Sequence, residues 1–142
     1  MVNYDVYSHE RTVGVGLRFV ALAIDGIILS IIGFLITSVF GGIANGGFEM
    51  DGISSFLSIL LSFLYFWLLE ANLGGTLGKL ALGLRVTMED GSPCTLTAAF
   101  IRNFMRIVDG FFLYLLGAIF IWNSPTKQRL GDRLAKTYVV KK

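Results

Sequence analysis

The sequence contains one cysteine, Cys94, and one histidine, His9. A disulfide within the chain needs two thiols and a Cys/His metal cluster needs several ligands, so both are excluded, and redox relays with them. Charge is scarce as well. Asp, Glu, Lys and Arg make up 15% of the residues, against about 25% in soluble domains. Apolar residues take their place: 54% of the chain is hydrophobic and the mean hydropathy is +0.70. These residues lie in runs too long for a soluble core built from 142 residues, so the composition implies an all-α integral membrane protein, a single domain over residues 1–142. No nucleophile and base stand in catalytic spacing, so no enzyme, cofactor site or nucleic-acid surface is expected. The first eighteen residues are mixed and polar without a cleavage-site pattern, and no removed signal peptide is expected.

Lys and Arg are absent between Phe19 and Gly78 and fall in three blocks: Arg11 and Arg18, Lys79 to Arg106, and Lys127 to Lys142. By the positive-inside tendency these blocks belong in the cytoplasm. Residues 19–40 form an apolar run broken only by Asp25, roughly 33 Å long as a helix and long enough to span a bilayer. Residues 53–73 form a second, interrupted by Glu70 near its inner end, where the side chain can reach the interface. Residues 41–52, rich in glycine, read as a flexible outer loop. Together these segments predict a transmembrane hairpin in the cell membrane, multi-pass, with both termini cytoplasmic.

Residues 84–88 and 138–140 have strand-like patterning on either side of turn-rich Glu89-Asp90-Gly91-Ser92-Pro93 and predict two short cytoplasmic strands. Thr97 is a candidate N-cap for an amphipathic interfacial helix. Its apolar side carries Phe100, Ile101, Phe104, Met105 and Val108, and its polar side Arg102, Asn103, Arg106 and Asp109. The third apolar run, residues 110–122, is about 20 Å long as a helix, short of a crossing. A re-entrant segment bent near Gly110 and Gly117 keeps the basic tail inside. No internal repeat, low-complexity tract or linker is apparent.

Leu17-Arg18-Phe19 with Asp25, Gly75-Thr76-Leu77-Gly78-Lys79, Arg102-Asn103 and Gln128-Arg129-Leu130-Gly131-Asp132 resemble the RDD family of small membrane proteins, over about residues 15 to 140. The family is named for one Arg and two Asp. Arg18 and Asp25 match the first two; Asp132 is the choice for the third, with Asp109 as the competing assignment. Thr76, Gly78, Lys79, Arg102, Asn103, Arg129 and Gly131 match the rest of the motif. The resemblance implies either antiport of Na+ or another monovalent cation against H+, or a helper role in assembling membrane complexes.

Asp25 follows Arg18 by two turns and lies on the same helix face, so it is either an ion or proton site or part of a buried polar lock. A carboxylate in a membrane helix costs about 2.5–3.5 kcal/mol at the bilayer centre and needs a partner. The expected lock joins Arg18, Asp25 and a cationic or amide group near Lys79, Arg102 or Arg106. Ser55, Ser58, Ser62 and Tyr65 share a face and either join helices or line a polar path. Ala23, Gly26, Ser30, Gly33 and Thr37 suit close helix approach, and Cys94 reads as a small packing residue. The segment 74–79 lacks the spacing of a phosphate loop. Two crossings are too few to enclose an ion path, so transport by this chain implies a homo-oligomer; the alternative is a non-catalytic interaction or assembly module with a membrane partner protein.

Overall fold

The computed structural model describes residues 12–40, 43–44, 47–48, 52–112 and 115–141. Six helices are seen among them: α1 (Val15–Phe40), α2 (Gly52–Leu73), α3 (Leu77–Ala81), α4 (Leu96–Phe111), α5 (Leu115–Asn123) and α6 (Leu130–Leu134). Four strands pair two by two: β1 (Ile43–Ala44) with β2 (Gly47–Phe48), and β3 (Leu84–Met88) with β4 (Thr137–Lys141). The segment between α1 and α2, expected to be only loop, thus holds a minimal hairpin; its other residues lie outside the described ones, as does His9.

Among the described residues two single helices are long and apolar enough to cross a membrane, Val15–Val39 and Gly52–Leu73. Their large side chains point outward: Ile27, Ile31, Phe34 and Val39 on α1 and Ile53, Phe56 and Ile59 on α2 are exposed. In water such a surface would aggregate; in a bilayer it is the solvent-facing side, because lipid tails are as apolar as leucine. Between the helices, a Cβ on Gly33 would touch Ser58 Oγ at 4.0 Å, so the small side chains there allow close approach. Ala23, Gly26 and Ser30, on the same expected stripe, face outward, and Ser30 Oγ donates back to the Gly26 carbonyl.

α1 starts at Val15, ahead of the expected Phe19. The helix can run through Arg18 because all three guanidinium nitrogens find acceptors: Val13 O, Lys127 O and Asp132. α4 also begins earlier than expected. Its N-cap is Thr95, not Thr97, with extended backbone and a hydroxyl that accepts from Ala98 N at 3.1 Å, while Thr97 is exposed. The third apolar run, expected to bend near Gly110 and Gly117, is divided between two helices: α4 continues to Phe111, and α5 lies at 114° to it. Gly117 sits inside α5.

A small apolar core, Val13, Leu84, Val86, Cys94, Ala98, Ala99, Ala135 and Val139, lies under the β3–β4 ribbon. Burial in this core pushes the Cys94 thiol pKa up, which keeps it protonated and inert. α4 is clasped to α2 by aromatic packing: Phe100 meets Trp67 edge-on at 5.1 Å and Phe63 at 5.7 Å, and Trp67 Nε1 donates to Leu96 O.

The folded chain contains a repeat that the sequence analysis did not find. α3 and α6 are each five residues long, each follows an extended capping residue, Thr76 or Arg129, and each leads into a five-residue strand. Left-handed residues flank both helices at matching positions, Gly74 and Gly83 around the first, Lys127 and Lys136 around the second. Val86 pairs with Val139 at the centre of the antiparallel register, so the two units are related by a local twofold through that pair. In each unit a glycine brings the short helix against a long one. A Cβ on Gly78 would lie 2.2 Å from Ala21 O of α1, and one on Gly131 would lie 3.0 Å from Met105 Cβ and 3.2 Å from Arg102 O of α4.

Because backbone atoms cannot swing aside, Gly78→Ala and Gly131→Ala should each cost about 1–3 kcal/mol, the range for overpacking. Gly26→Ala, with open space around it, should be neutral or slightly stabilising. Unfolding of the purified protein in mixed detergent micelles measures all three.

Candidate functional site: a buried charge network with two cavities

The residues flagged in the sequence fall into two clusters. In the first, Asp25 is 1% exposed and accepts from Tyr65 Oη at 2.8 Å, Thr76 Oγ1 at 2.6 Å and Gly78 N at 2.8 Å. Three residues of one short segment produce this arrangement. Gly74, at φ +72°, ends α2 and turns the chain back. Thr76 then caps α3, its hydroxyl accepting from Lys79 N while donating to Asp25. Gly78 lets α3 approach α1 closely enough for its amide to reach the carboxylate.

The second cluster is ionic. Glu70, fully buried, receives Lys79 Nζ, Arg102 Nε at 3.1 Å and Asn103 Nδ2 at 3.1 Å, with Arg106 Nη2 at 3.7 Å. Asp132, also fully buried, receives Arg18 Nη1 at 2.5 Å and Arg102 Nη1 at 3.1 Å. Its Oδ2 also accepts from Arg129 N at 3.2 Å. Arg102 thus bridges both carboxylates, and its Nη1 further donates to Thr137 Oγ1 at 2.6 Å. The signs alternate along the chain Lys79, Glu70, Arg102, Asp132, Arg18. Asp132 is held well below the usual carboxylate range: burial opposes ionisation, but the guanidiniums of Arg102, Arg18 and Arg129 outweigh it.

The flagged residues do not all meet as their sequence positions suggest. Arg18 does not pair with Asp25; it reaches Asp132, since helical side chains lean toward the N-terminus and carry the guanidinium away from Asp25. Of the cationic or amide partner expected from the Lys79 region, Asp25 takes the Gly78 amide, together with two hydroxyls, because α3 is pressed against it. Glu70 does not reach outward; it is fully buried at the hub of the ionic cluster, and the signal for it was the excess of basic residues in the segments that follow. Tyr65 also departs from the serine face: it donates to Asp25, whereas Ser55, Ser58 and Ser62 border a separate cavity of about 500 Å³ with Asn103 and Arg106. Asp109, the alternative to Asp132, is buried beside Gly117, whose Cβ would lie 3.0 Å from Asp109 Oδ2 and 3.2 Å from Arg129 Cδ.

A second cavity, about 250 Å³, is bordered by Arg18, Asp25, Lys79, Arg106 and Arg129 and by apolar side chains of α1 and α5. Arg106 borders both cavities and stacks over Phe66 at 4.0 Å. Among the described residues no three His, Cys, Asp or Glu side chains converge as a metal site.

This combination of a membrane hairpin with an Arg at the start of the first span, an Asp inside it and a buried Asp in the C-terminal segment defines a small membrane protein of RDD type. The chain belongs to the RDD family, which it matches over residues 12–136. It is 36% identical to the uncharacterized protein YxaI of Bacillus subtilis (strain 168), over 94% of this chain and 99% of the relative. No solved structure matches it.

Glu70→Gln would leave Lys79, Arg102 and Arg106 facing one another around an uncharged group. Breaking a buried pair from one side costs about 3–5 kcal/mol, and this variant should lose detergent stability accordingly. Lys79→Met should be milder, because Arg102 and Arg106 still neutralise Glu70. Burial lowers the Lys79 pKa to about 7, well below its value in an unfolded chain. The unfolded state therefore binds the extra proton between about pH 7 and 10, and stability rises with pH across that window. The rise should appear in the parent protein and vanish in Lys79→Met, as measured by unfolding midpoints from pH 6 to 10.

Proposed function

We propose that this chain is a non-catalytic membrane assembly module, multi-pass in the cell membrane with cytoplasmic termini, whose intramembrane charges hold the fold. The observation that carries this reading is the engagement of Asp25. Three donors converge on its two oxygens, filling three of the four lone-pair sites of a carboxylate, and one of them is a backbone amide that cannot be titrated or moved; a hard cation, which needs several oxygen ligands, is left a single site on Oδ2. Glu70 and Asp132 face guanidiniums, which do not deprotonate in proteins. On this reading α5 is a re-entrant segment and the outward apolar faces of α1 and α2 meet lipid, a partner protein or a second copy of the chain.

The second reading, antiport of Na+ or another monovalent cation against H+ by a homo-oligomer, draws on one observation. Asp25 and Lys79 border the same cavity, and burial brings Lys79 to about 7, where a proton can exchange. Four cationic side chains around that cavity disfavour a metal cation there.

Asp25→Asn separates the two. For an assembly module, vesicles containing the purified parent protein show no cation-dependent proton movement, and the variant loses about 1–3 kcal/mol of stability, because an amide cannot accept from all three donors. Exchange in the parent that disappears in a stably folded Asp25→Asn would establish antiport instead.

A further inference from the structure

We infer that the cavity between α1 and α5 is a binding site for the phosphate headgroup of an anionic lipid, with one acyl chain lying along its apolar wall. The inference is independent of whether the chain assembles or transports.

The first observation is charge. Arg18, Lys79, Arg106 and Arg129 border the cavity, against Asp25 alone among the carboxylates. Asp25 is already consumed by Tyr65, Thr76 and Gly78. Including the neighbouring shell, Arg18, Lys79, Arg102, Arg106 and Arg129 outnumber Asp25, Glu70, Asp109 and Asp132 by one. Lys79, brought to about 7 by burial, titrates within this count, so the four carboxylates at most match the four arginines, and the cluster is short of one negative charge whenever Lys79 is protonated.

The second observation locates the shortage at Arg129. Arg18 has spent its nitrogens on Val13 O, Lys127 O and Asp132, and Lys79 is paired with Glu70. Arg129 reaches Asp132 only at 3.9 Å through Nη2, and its Nε is buried with no hydrogen-bond partner. A guanidinium with open donors in a cavity suits a phosphate, which it can bind through two parallel hydrogen bonds.

The third observation selects a lipid over a free anion. Val15, Phe19 and Leu22 of α1 and Leu115, Ala118 and Ile121 of α5 form the rest of the lining. Phe19 is 68% exposed and Leu115 61%, so the wall runs without a break onto the lipid-facing surface. Arg18 lies in the first turn of a membrane-spanning helix, which puts the basic floor at headgroup depth and the wall at acyl depth. An amphiphile uses both; inorganic phosphate uses the floor only. Basic pockets between membrane helices have this character where they hold anionic headgroups.

The test uses the full chain in neutral detergent, titrated with short-chain phosphatidylglycerol, phosphatidylcholine of the same chain length, or inorganic phosphate, with the thermal unfolding midpoint as readout. Phosphatidylglycerol should give a saturable rise in midpoint that the other two do not. Arg129→Gln should weaken phosphatidylglycerol binding by about tenfold or more, the scale of a lost charge-assisted pair; because Arg129 also faces Asp132 at 3.9 Å, the lipid-induced rise is read from the variant's own lipid-free midpoint. Ala118→Phe, which fills the apolar wall, should weaken binding while leaving every charge in place, and it carries the test if Arg129→Gln does not fold. Equal stabilisation by phosphatidylcholine would overturn the inference, as would unchanged phosphatidylglycerol binding in the variants. A rise produced by inorganic phosphate alone would reassign the cavity to a free anion.

Discussion

Arg102 is the residue on which the rest of the structure depends. Its single guanidinium touches Glu70 from α2, Asp132 from α6 and Thr137 from β4, while its own backbone belongs to α4. It is 2% exposed, and both carboxylates are fully buried. At low dielectric, charges of this kind are tolerated only when each is matched and oriented. The membrane hairpin, the surface helix and the ribbon therefore share one electrostatic condition: moving any of them a few ångströms leaves an ion uncompensated. That cost, more than apolar burial, fixes how they sit together, since the apolar core is small and made largely of alanine and valine.

The molecule is built with polarity reversed relative to a soluble domain. α4 shows this best. Arg102, Asn103 and Asp109 on its polar side are buried, whereas Phe104, Ile107 and Phe111 on its apolar side are exposed. The same pattern holds on α1, where Asp25 is buried and Ile27 exposed. A helix of this kind gains nothing by turning its apolar face inward when the surroundings are hydrocarbon. Hydrogen bonds and ion pairs then supply the inward attraction that the hydrophobic effect supplies in water.

These differences decide what could be read in the sequence. The two long apolar runs were legible because length and hydropathy are local properties, and the polar stripe of α4 because helical spacing is local. The partners of Asp25 were not. Arg18 is nearest along the chain, but Gly78 and Thr76 lie far from Asp25 in sequence and arrive only because α3 packs on α1. Glu70 was assigned to the interface because helix position alone put it there, and nothing local to it announces Lys79, Arg102 and Asn103. Thr95 and Thr97 are equally good caps by residue type; backbone direction after Cys94 decides between them. The Gly-containing segments 74–79 and 127–132 did carry a signal, since Gly78 and Gly131 precede charged residues at matching places, but little besides Leu77/Leu130 and Val86/Val139 is identical between the two units.

The local twofold of those units relates their backbones and not their charges. At the position after each close-packed glycine the first unit carries Lys79 and the second Asp132. Lys79 pairs with Glu70, whereas Asp132 pairs with Arg102 and Arg18, so one backbone pattern used twice presents a cation on one side of the hub and an anion on the other. Exchanging the two residues would leave Glu70 facing a carboxylate and Arg18 facing an ammonium.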